Sequence, residues 1–419
     1  MWLLALVALP KFLYHFLIYK KYHTSFLKRA GLNFSFPKLK KPVIWIHAVS
    51  LGETKAIVPL ASQLKLAFPN YSLIISSITE TGHEEAKKSI SCADYHLYLP
   101  FDFSFLTKRV VSHFSPSLVL LSESDFWFNF LRHAKKAGAK IALVNGKLSS
   151  KSAKRFQQIS FFSKELFDLF DLFCLQNQEY YQRFEELSID CQRLSITGNL
   201  KFDCKQEHLL IKELEQWRKK LCLDGFILTI GSTHPLEEEL FIPILQKLWK
   251  VWPNLKVLLI PRHLQRAQEV AKLFSAQSIH CLSYKSFDKQ QTEKKKKAQV
   301  ILLDIMGLLP IAYQLADLCI VGGSYTSKVG GHNILEPCEY GKPVIFGPYM
   351  HSQKELVTLV TQSEGGWQIE ISKLYNKIVE LLKNTPKRLQ AGQKGKEMRQ
   401  NLSGSTEKTI ALLKPLLKK

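Results

Sequence analysis

The stretch from Gly322 to Pro348, GGSYTSKVGGHNILEPCEYGKPVIFGP, gathers Gly322, Gly323, Gly330 and Gly331 around a short polar loop just before Asn333 and Glu336. Glycines take positive φ and let a backbone approach a ligand closely. A helix beginning near His332 would aim its free N–H groups at an anion. Glu336, one turn inside that helix, would accept hydrogen bonds from vicinal hydroxyls such as those of a ribose. These residues suit a nucleotide or a sugar phosphate; a glycine-rich turn with no ligand is the plainer alternative. Glu53 closes a second segment, HAVSLGE, in which Gly52 would allow a tight turn and Glu53 would open a helix. A carboxylate there is expected to have a lowered pKa and to be ionised at neutral pH. It then suits a general base acting on a hydroxyl, or it serves only the helix dipole. Glu123 and Asp125 in SESDFW either face a common cleft or cap a helix. Lys201 in TGNLKFD either stabilises developing negative charge or pairs with Asp203. Ser232 in GSTH offers a hydroxyl and N–H groups to a phosphate. Arg262, after Pro261, suits a fixed phosphate contact or is an ordinary surface residue. Met306, Gly307 and Leu308, after Asp304, would line a base pocket.

These residues fall at the ends of short apolar runs. Val43–Ile46, Leu73–Ile78, Leu118–Leu121, Ile141–Val144, Asp171–Leu175 and Leu194–Thr197 read as strands, with helical spacing between them, as over Val58–Phe68. A second series follows at Phe226–Ile230, Lys256–Ile260, Val300–Leu303, Leu318–Val321 and Val344–Phe346. Short strands alternating with helices indicate parallel sheets covered on both faces. The expected fold is therefore α/β, with two doubly wound Rossmann-like domains facing a cleft and ligands at the carboxyl ends of the strands. The expected divisions are a membrane-associated helix at 1–22, a first domain at 23–203, a linker at 204–224 and a second domain at 225–395. A C-terminal helical segment at 396–419 would pack back on the first domain. Lys294–Lys297 reads as a solvated loop.

The chain has 419 residues and a formal net charge of +22, an excess that draws a protein to polyanions. A membrane surface is favoured over nucleic acid, because Met1–Tyr19 is nearly all apolar and Lys20, Lys21, Lys28 and Arg29 follow it. Such a run spans the bilayer or lies in its interface, with the basic flank on the cytoplasmic side; a buried first helix of the fold is the alternative. The basic residues are spread along the chain rather than interleaved with aromatics on one stripe, which argues against nucleic acid. The eight cysteines form no CxxC pair, so free thiols in a reducing compartment are expected.

Taken in order, HAVSLGE, SITETG, SESDFW, NGKLS, TGNLKFD, GSTH, PRH, DIMG and GGHNILEP resemble, over nearly the whole chain, the transferases of 3-deoxy-D-manno-octulosonic acid (Kdo). The resemblance implies a GT-B glycosyltransferase at the cytoplasmic face of the bacterial inner membrane. It would use CMP-Kdo as donor and lipid IVA, the tetra-acylated lipid A precursor, as acceptor, and would invert the anomeric centre. By the same resemblance Glu53 is the proton acceptor, and Glu123 and Lys201 stabilise the transition state. CMP is contacted by Pro261 and Arg262, by Met306, Gly307 and Leu308, and by Asn333, Ile334, Leu335 and Glu336. No metal or other cofactor is expected, since a CMP-sugar has no diphosphate to bridge. The chain departs from the family pattern at Leu308-Leu309, where the family carries Glu-Leu, and at Phe128, where it carries Pro. The number of Kdo units added is not legible. The alternative activity is another GT-B enzyme or an epimerase acting on a UDP-sugar.

Overall fold

The computed structural model describes residues 23–31, 36–39, 42–204, 206–287 and 289–417. The expected anchor at 1–22 lies outside these residues. Among the described residues no helix is long and apolar enough to cross a membrane. The chain divides into two units, Met1–Cys204 with Leu402–Lys419, and Lys205–Asn401.

The first unit is built on a sheet of β1 (Val43–His47), β2 (Ser72–Ser77), β3 (Tyr95–Tyr98), β4 (Leu118–Ser122), β5 (Lys140–Gly146), β6 (Leu172–Leu175) and β7 (Leu194–Ile196). Among the described residues these strands run in the order β3-β2-β1-β4-β5-β6-β7, each pairing parallel with its neighbours. β1 shows why the sheet forms. All of VIWIH is buried, with Val43 and Trp45 joining Phe114 and Phe130 in one apolar cluster and Ile44 and Ile46 joining Ile57, Leu60 and Leu64 in another. A strand with apolar partners on both faces is stable only with helices on both sides. The helix Ser405–Leu417 supplies part of one side through Ile410 and Leu413. Asp203 caps it, accepting from the N–H groups of Gly404 (2.7 Å), Ser405 and Thr406.

The second unit repeats the plan with β8 (Ile227–Thr233), β9 (Lys256–Pro261), β10 (Cys281–Ser283), β11 (Val300–Leu302), β12 (Leu318–Val321), β13 (Val344–Phe346) and β14 (Gly366–Gln368). Their order, among the described residues, is β10-β11-β9-β8-β12-β13-β14, again parallel throughout. Near the centre of each sheet the strand order reverses, between β1 and β4 and between β8 and β12. Ligands of open α/β sheets bind outside the carboxyl ends of the strands at such a reversal.

Several expectations need correction. The segment 204–224, expected to be a linker, belongs to the second unit from Lys205 onward. Its helix Ile211–Lys220 places Leu214 and Trp217, with Leu221 and Leu223, on the cluster of Ile227, Ile260 and Leu315. The second unit also extends past 395, to Asn401, because the helix Thr385–Asn401 is continuous. Lys294–Lys297 is the end of a helix, Thr292–Lys297, rather than a loop. The buried Lys256 ammonium donates to the carbonyls of Lys296 and Ala298, both at 2.6 Å, and so closes the helix at its C-terminal end. Sequence reasoning missed β3, β10 and β14, three short edge strands.

Candidate active site

At the reversal of the first sheet, the chain leaves β1 and enters the helix Leu51–Ala67. Ser50 is its N-cap, accepting from the Glu53 N–H. The Glu53 carboxylate turns back, accepting from Val49 N and from Ser50 Oγ, each at 3.0 Å. This reciprocal arrangement is a form of capping box, and it holds the carboxylate at the carboxyl end of β1. Gly52 lies within this helix and its φ is not positive, so it makes no tight turn. Glu53 is only 6% exposed. Burial raises its pKa to about 6, aided by the charges of Glu123 and Asp125 and opposed by the Val49 and Ser50 hydrogen bonds. The expected lowering is therefore overturned: removal from water outweighs the helix terminus. A carboxyl titrating near 6 is ionised at neutral pH yet closer in proton affinity to a hydroxyl in reaction, which improves a general base.

Across the reversal, β4 ends at Ser122 and Glu123 takes φ 63, a left-handed conformation that is strained for a glutamate. Its carboxylate, 5% exposed, lies between two ammonium groups, Lys201 Nζ at 2.9 Å and Lys147 Nζ. Burial would raise the Glu123 pKa, but the hydrogen bonds and charges of Lys147 and Lys201 outweigh it and hold the carboxyl below its usual range. Lys201 thus pairs with Glu123; Asp203 is occupied in capping the helix Ser405–Leu417. Lys201 is placed by Asn199, whose side chain accepts from its N–H. The next link is Asn145, whose Oδ1 accepts from Leu200 N at 3.0 Å and whose φ is 53. Neither Glu123 nor Asp125 caps the helix Phe128–Lys136; Asp102 does, accepting from Asn129 N and Phe130 N. Phe128 opens that helix, a position that suits proline, and its ring packs 5.1 Å from Phe162. Ser122 Oγ, Trp127 Nε1, Asn145 Nδ2 and Thr197 Oγ1 are buried without hydrogen-bond partners among the described residues. Such atoms are costly in a fold alone and mark a polar site.

In the second unit Ser232, near the end of β8, also has a left-handed backbone, φ 59, at an irregularity in the pairing with β9. Glu237, fully buried, accepts from His234 N (2.9 Å), Gly323 N (2.7 Å) and Tyr325 N (2.8 Å). One carboxylate therefore ties the end of β8 to the glycine loop after β12. Gly330 and Gly331 have φ 88 and 86, and no helix starts at His332. The helix is Leu335–Glu339, only five residues, and Asn333 Oδ1 already accepts from Leu335 N at 3.0 Å. The loop therefore offers backbone and side-chain groups rather than a long helix terminus. Ile334 and Leu335 are 0% and 2% exposed, so their side chains belong to the core and only their backbones are available. Glu336 is half-buried, 3.4 Å from Asn333 Nδ2. Its pKa is raised by burial, against the Asn333 hydrogen bond and the Arg262 charge. Arg262 and Met306 line an open pocket with His263, Lys285 and Asp304. Asp304 is committed to Ser283 Oγ (2.7 Å) and Lys285 N (3.0 Å). Pro261 closes β9, and Gly307 turns with φ 90. Leu308 packs against the apolar cluster of Leu303 and Ala312.

The family model described as 3-deoxy-D-manno-octulosonic-acid transferase (kdotransferase) matches residues 24–204. The transferase of that name from Chlamydophila psittaci is 36% identical over 399 residues, 93% of this chain and 89% of the relative. This chain belongs to the Kdo transferases. The Haemophilus influenzae enzyme is 30% identical over 90% of this chain and 87% of its own length. Two solved structures share the fold: a UDP-GlcNAc 2-epimerase from Neisseria meningitidis (TM-score 0.60, 14% identity, 89% of this chain and 100% of that one) and a glycosyltransferase from Rickettsia africae (0.59, 15%, 91% and 100%). At such identities the likeness shows the fold alone, which is GT-B.

In this Kdo transferase, Lys147, which pairs with Glu123, is a candidate site residue that sequence reasoning passed over. It stands in NGKLS, directly after the strained Asn145 and the end of β5. A lysine two residues beyond a buried asparagine at a strand end was the available signal. Its pKa is raised because the Glu123 hydrogen bond and charge, with that of Glu53, outweigh burial. His234 and His332, described below, were likewise given no role of their own.

Proposed function

We propose that this Kdo transferase moves Kdo from CMP-Kdo to lipid IVA at the cytoplasmic face of the bacterial inner membrane, with inversion. Glu53 takes the proton from the acceptor hydroxyl as its oxygen bonds to the anomeric carbon. The bond from that carbon to the phosphate oxygen breaks, and CMP departs with the electron pair. Glu123, neutralised by Lys147 and Lys201, keeps two ammonium groups beside the reacting base without adding net negative charge. Arg262 and the glycine loop take the CMP phosphate, Ser232 offers its hydroxyl, and Glu336 takes the ribose. The observation that carries this reading is Glu53: a buried carboxylate fixed by two hydrogen bonds at the sheet reversal, titrating at about 6, with the lysine-paired Glu123 next to it. The net charge of +22 suits a bisphosphorylated lipid in a membrane.

Purified protein incubated with CMP-Kdo and lipid IVA should release CMP and give a heavier lipid by mass spectrometry. The mass also counts the Kdo units added. No product beside a working control transferase contradicts the proposed donor and acceptor. Stabilisation against heat by UDP but not CMP favours a UDP-sugar instead.

A further inference from the structure

We propose that His234 and His332, with Arg262, form a phosphate clamp that takes up a proton as the nucleotide binds. The inference rests on the CMP reading above and adds to it a pair of residues and a proton.

The two imidazoles come from different elements, His234 from the end of β8 and His332 from the glycine loop. Their Nε2 atoms lie 2.8 Å apart and their rings are nearly parallel, with centroids 5.0 Å apart at 19°. At that separation one nitrogen donates its proton and the other accepts, so the pair holds a single shared N–H between its facing atoms. Two protonated rings cannot keep this contact. The spacing is built in. Glu237 fixes the His234 backbone and the Gly323 and Tyr325 backbones together. A Cβ at Gly323 would fall 2.7 Å from His332 Cδ2 and 2.9 Å from its Nε2, so the glycine makes room for the ring.

The surroundings are cationic. The His263 ring stands edge-on to His234 with centroids 5.5 Å apart. Arg262 and His263 act on both members of the pair, and Arg266 on His234. The nearby carboxylates are engaged: Glu237 by three backbone N–H groups, Glu238 by Arg266 and Thr233, and Glu336 by Asn333. Burial first, and then neighbouring groups that include the Arg262 guanidinium, keep both rings neutral, His332 down to about 4. Arg262 repels a metal ion from the pair but attracts an anion. A phosphate entering beside the rings reverses the local repulsion. One added proton then converts the shared N–H into two N–H donors, each able to bond a phosphate oxygen.

The test is calorimetric titration of CMP into the full-length protein in two buffers of different ionisation enthalpy. The proposal expects uptake of roughly one proton per CMP and an affinity that weakens up to about tenfold per pH unit between pH 6 and 8. Cytidine, which lacks the phosphate, should bind without proton uptake. His332→Gln and His234→Gln keep a polar group but not the titration. Each should abolish the uptake and weaken CMP about tenfold, an effect that a phosphate protonated on its own would not show. CMP binding without proton uptake, or with uptake unchanged in both variants, overturns the clamp while leaving the CMP reading intact. Failure of the native protein to bind CMP overturns both.

Discussion

The burial that tunes Glu53 also weakens the fold. Its folded-state pKa of about 6 lies above the ordinary 4.5. The stability it contributes is therefore fully present below pH 4.5 and is lost as pH rises through 6. At pH 7.5 the ionised carboxylate leaves the unit roughly 2 kcal/mol less stable than a neutral group of the same shape. Glu53→Gln should thus raise the thermal midpoint by about 4–8 °C while lowering kcat by a factor of about 10²–10⁴; scanning calorimetry and a turnover assay check the two halves. Glu123 makes the opposite case, because its charge is fully answered. Lys147→Ala and Lys201→Ala should each reduce kcat/KM on the order of 10-fold to 100-fold, and the double variant by less than the product of the two, since both act through one carboxylate. Additive losses in that cycle would separate the lysines.

At the scale of elements, the site depends on how strands end. Glu123, Asn145 and Ser232 each take a left-handed backbone at or next to a strand end, and strain of this kind collects at functional sites. Glycines divide by the same criterion. Gly52 has nothing within 4 Å of a Cβ and lies in a helix, so Gly52→Ala should be tolerated and gain up to about 1 kcal/mol. Gly323, with φ 67 and His332 against it, should not tolerate alanine: Gly323→Ala is expected to weaken CMP binding at least about tenfold with the far-ultraviolet circular dichroism unchanged. Sequence alone could not separate these two. Both sit in glycine-bearing strand-to-helix connections, and only the backbone shows that one is helical and the other close-packed. The same limit explains the misplaced helix start at His332 and the pKa of Glu53, whose direction was set by burial that no local spacing reveals. What sequence did carry was the existence and place of the central strands: continuous apolar runs such as VIWIH and LVLLS form them, whereas the missed strands are short edges with half-exposed residues.

At the scale of the whole molecule, neutral histidines make the fold acid-sensitive. His47 is buried beside Ser76 and its pKa is lowered to about 3, chiefly by burial; His83, stacked on Tyr98, and His332 are lowered to about 4. Each folded value lies below the ordinary 6.5. Their contribution to stability is therefore present above pH 6.5 and is lost as pH falls through 4 and then 3. The thermal midpoint should fall steeply below pH 6, and a midpoint unchanged between pH 7 and 4.5 would show that these rings are not held neutral. That range overlaps the one in which Glu53, the proposed base, is protonated, so the two must be separated by working at short times on folded protein. The most direct test of Glu53 as the base is the pH dependence of a single turnover of CMP-Kdo and lipid IVA by the native enzyme and by Glu53→Gln. If Glu53 is the base, the rate falls tenfold per pH unit below about 6, with a one-proton slope, and the folded variant keeps a residual rate that lacks that limb. A native rate that is flat from pH 7 to 5, or a variant that turns over like the native enzyme, would contradict Glu53 as the base.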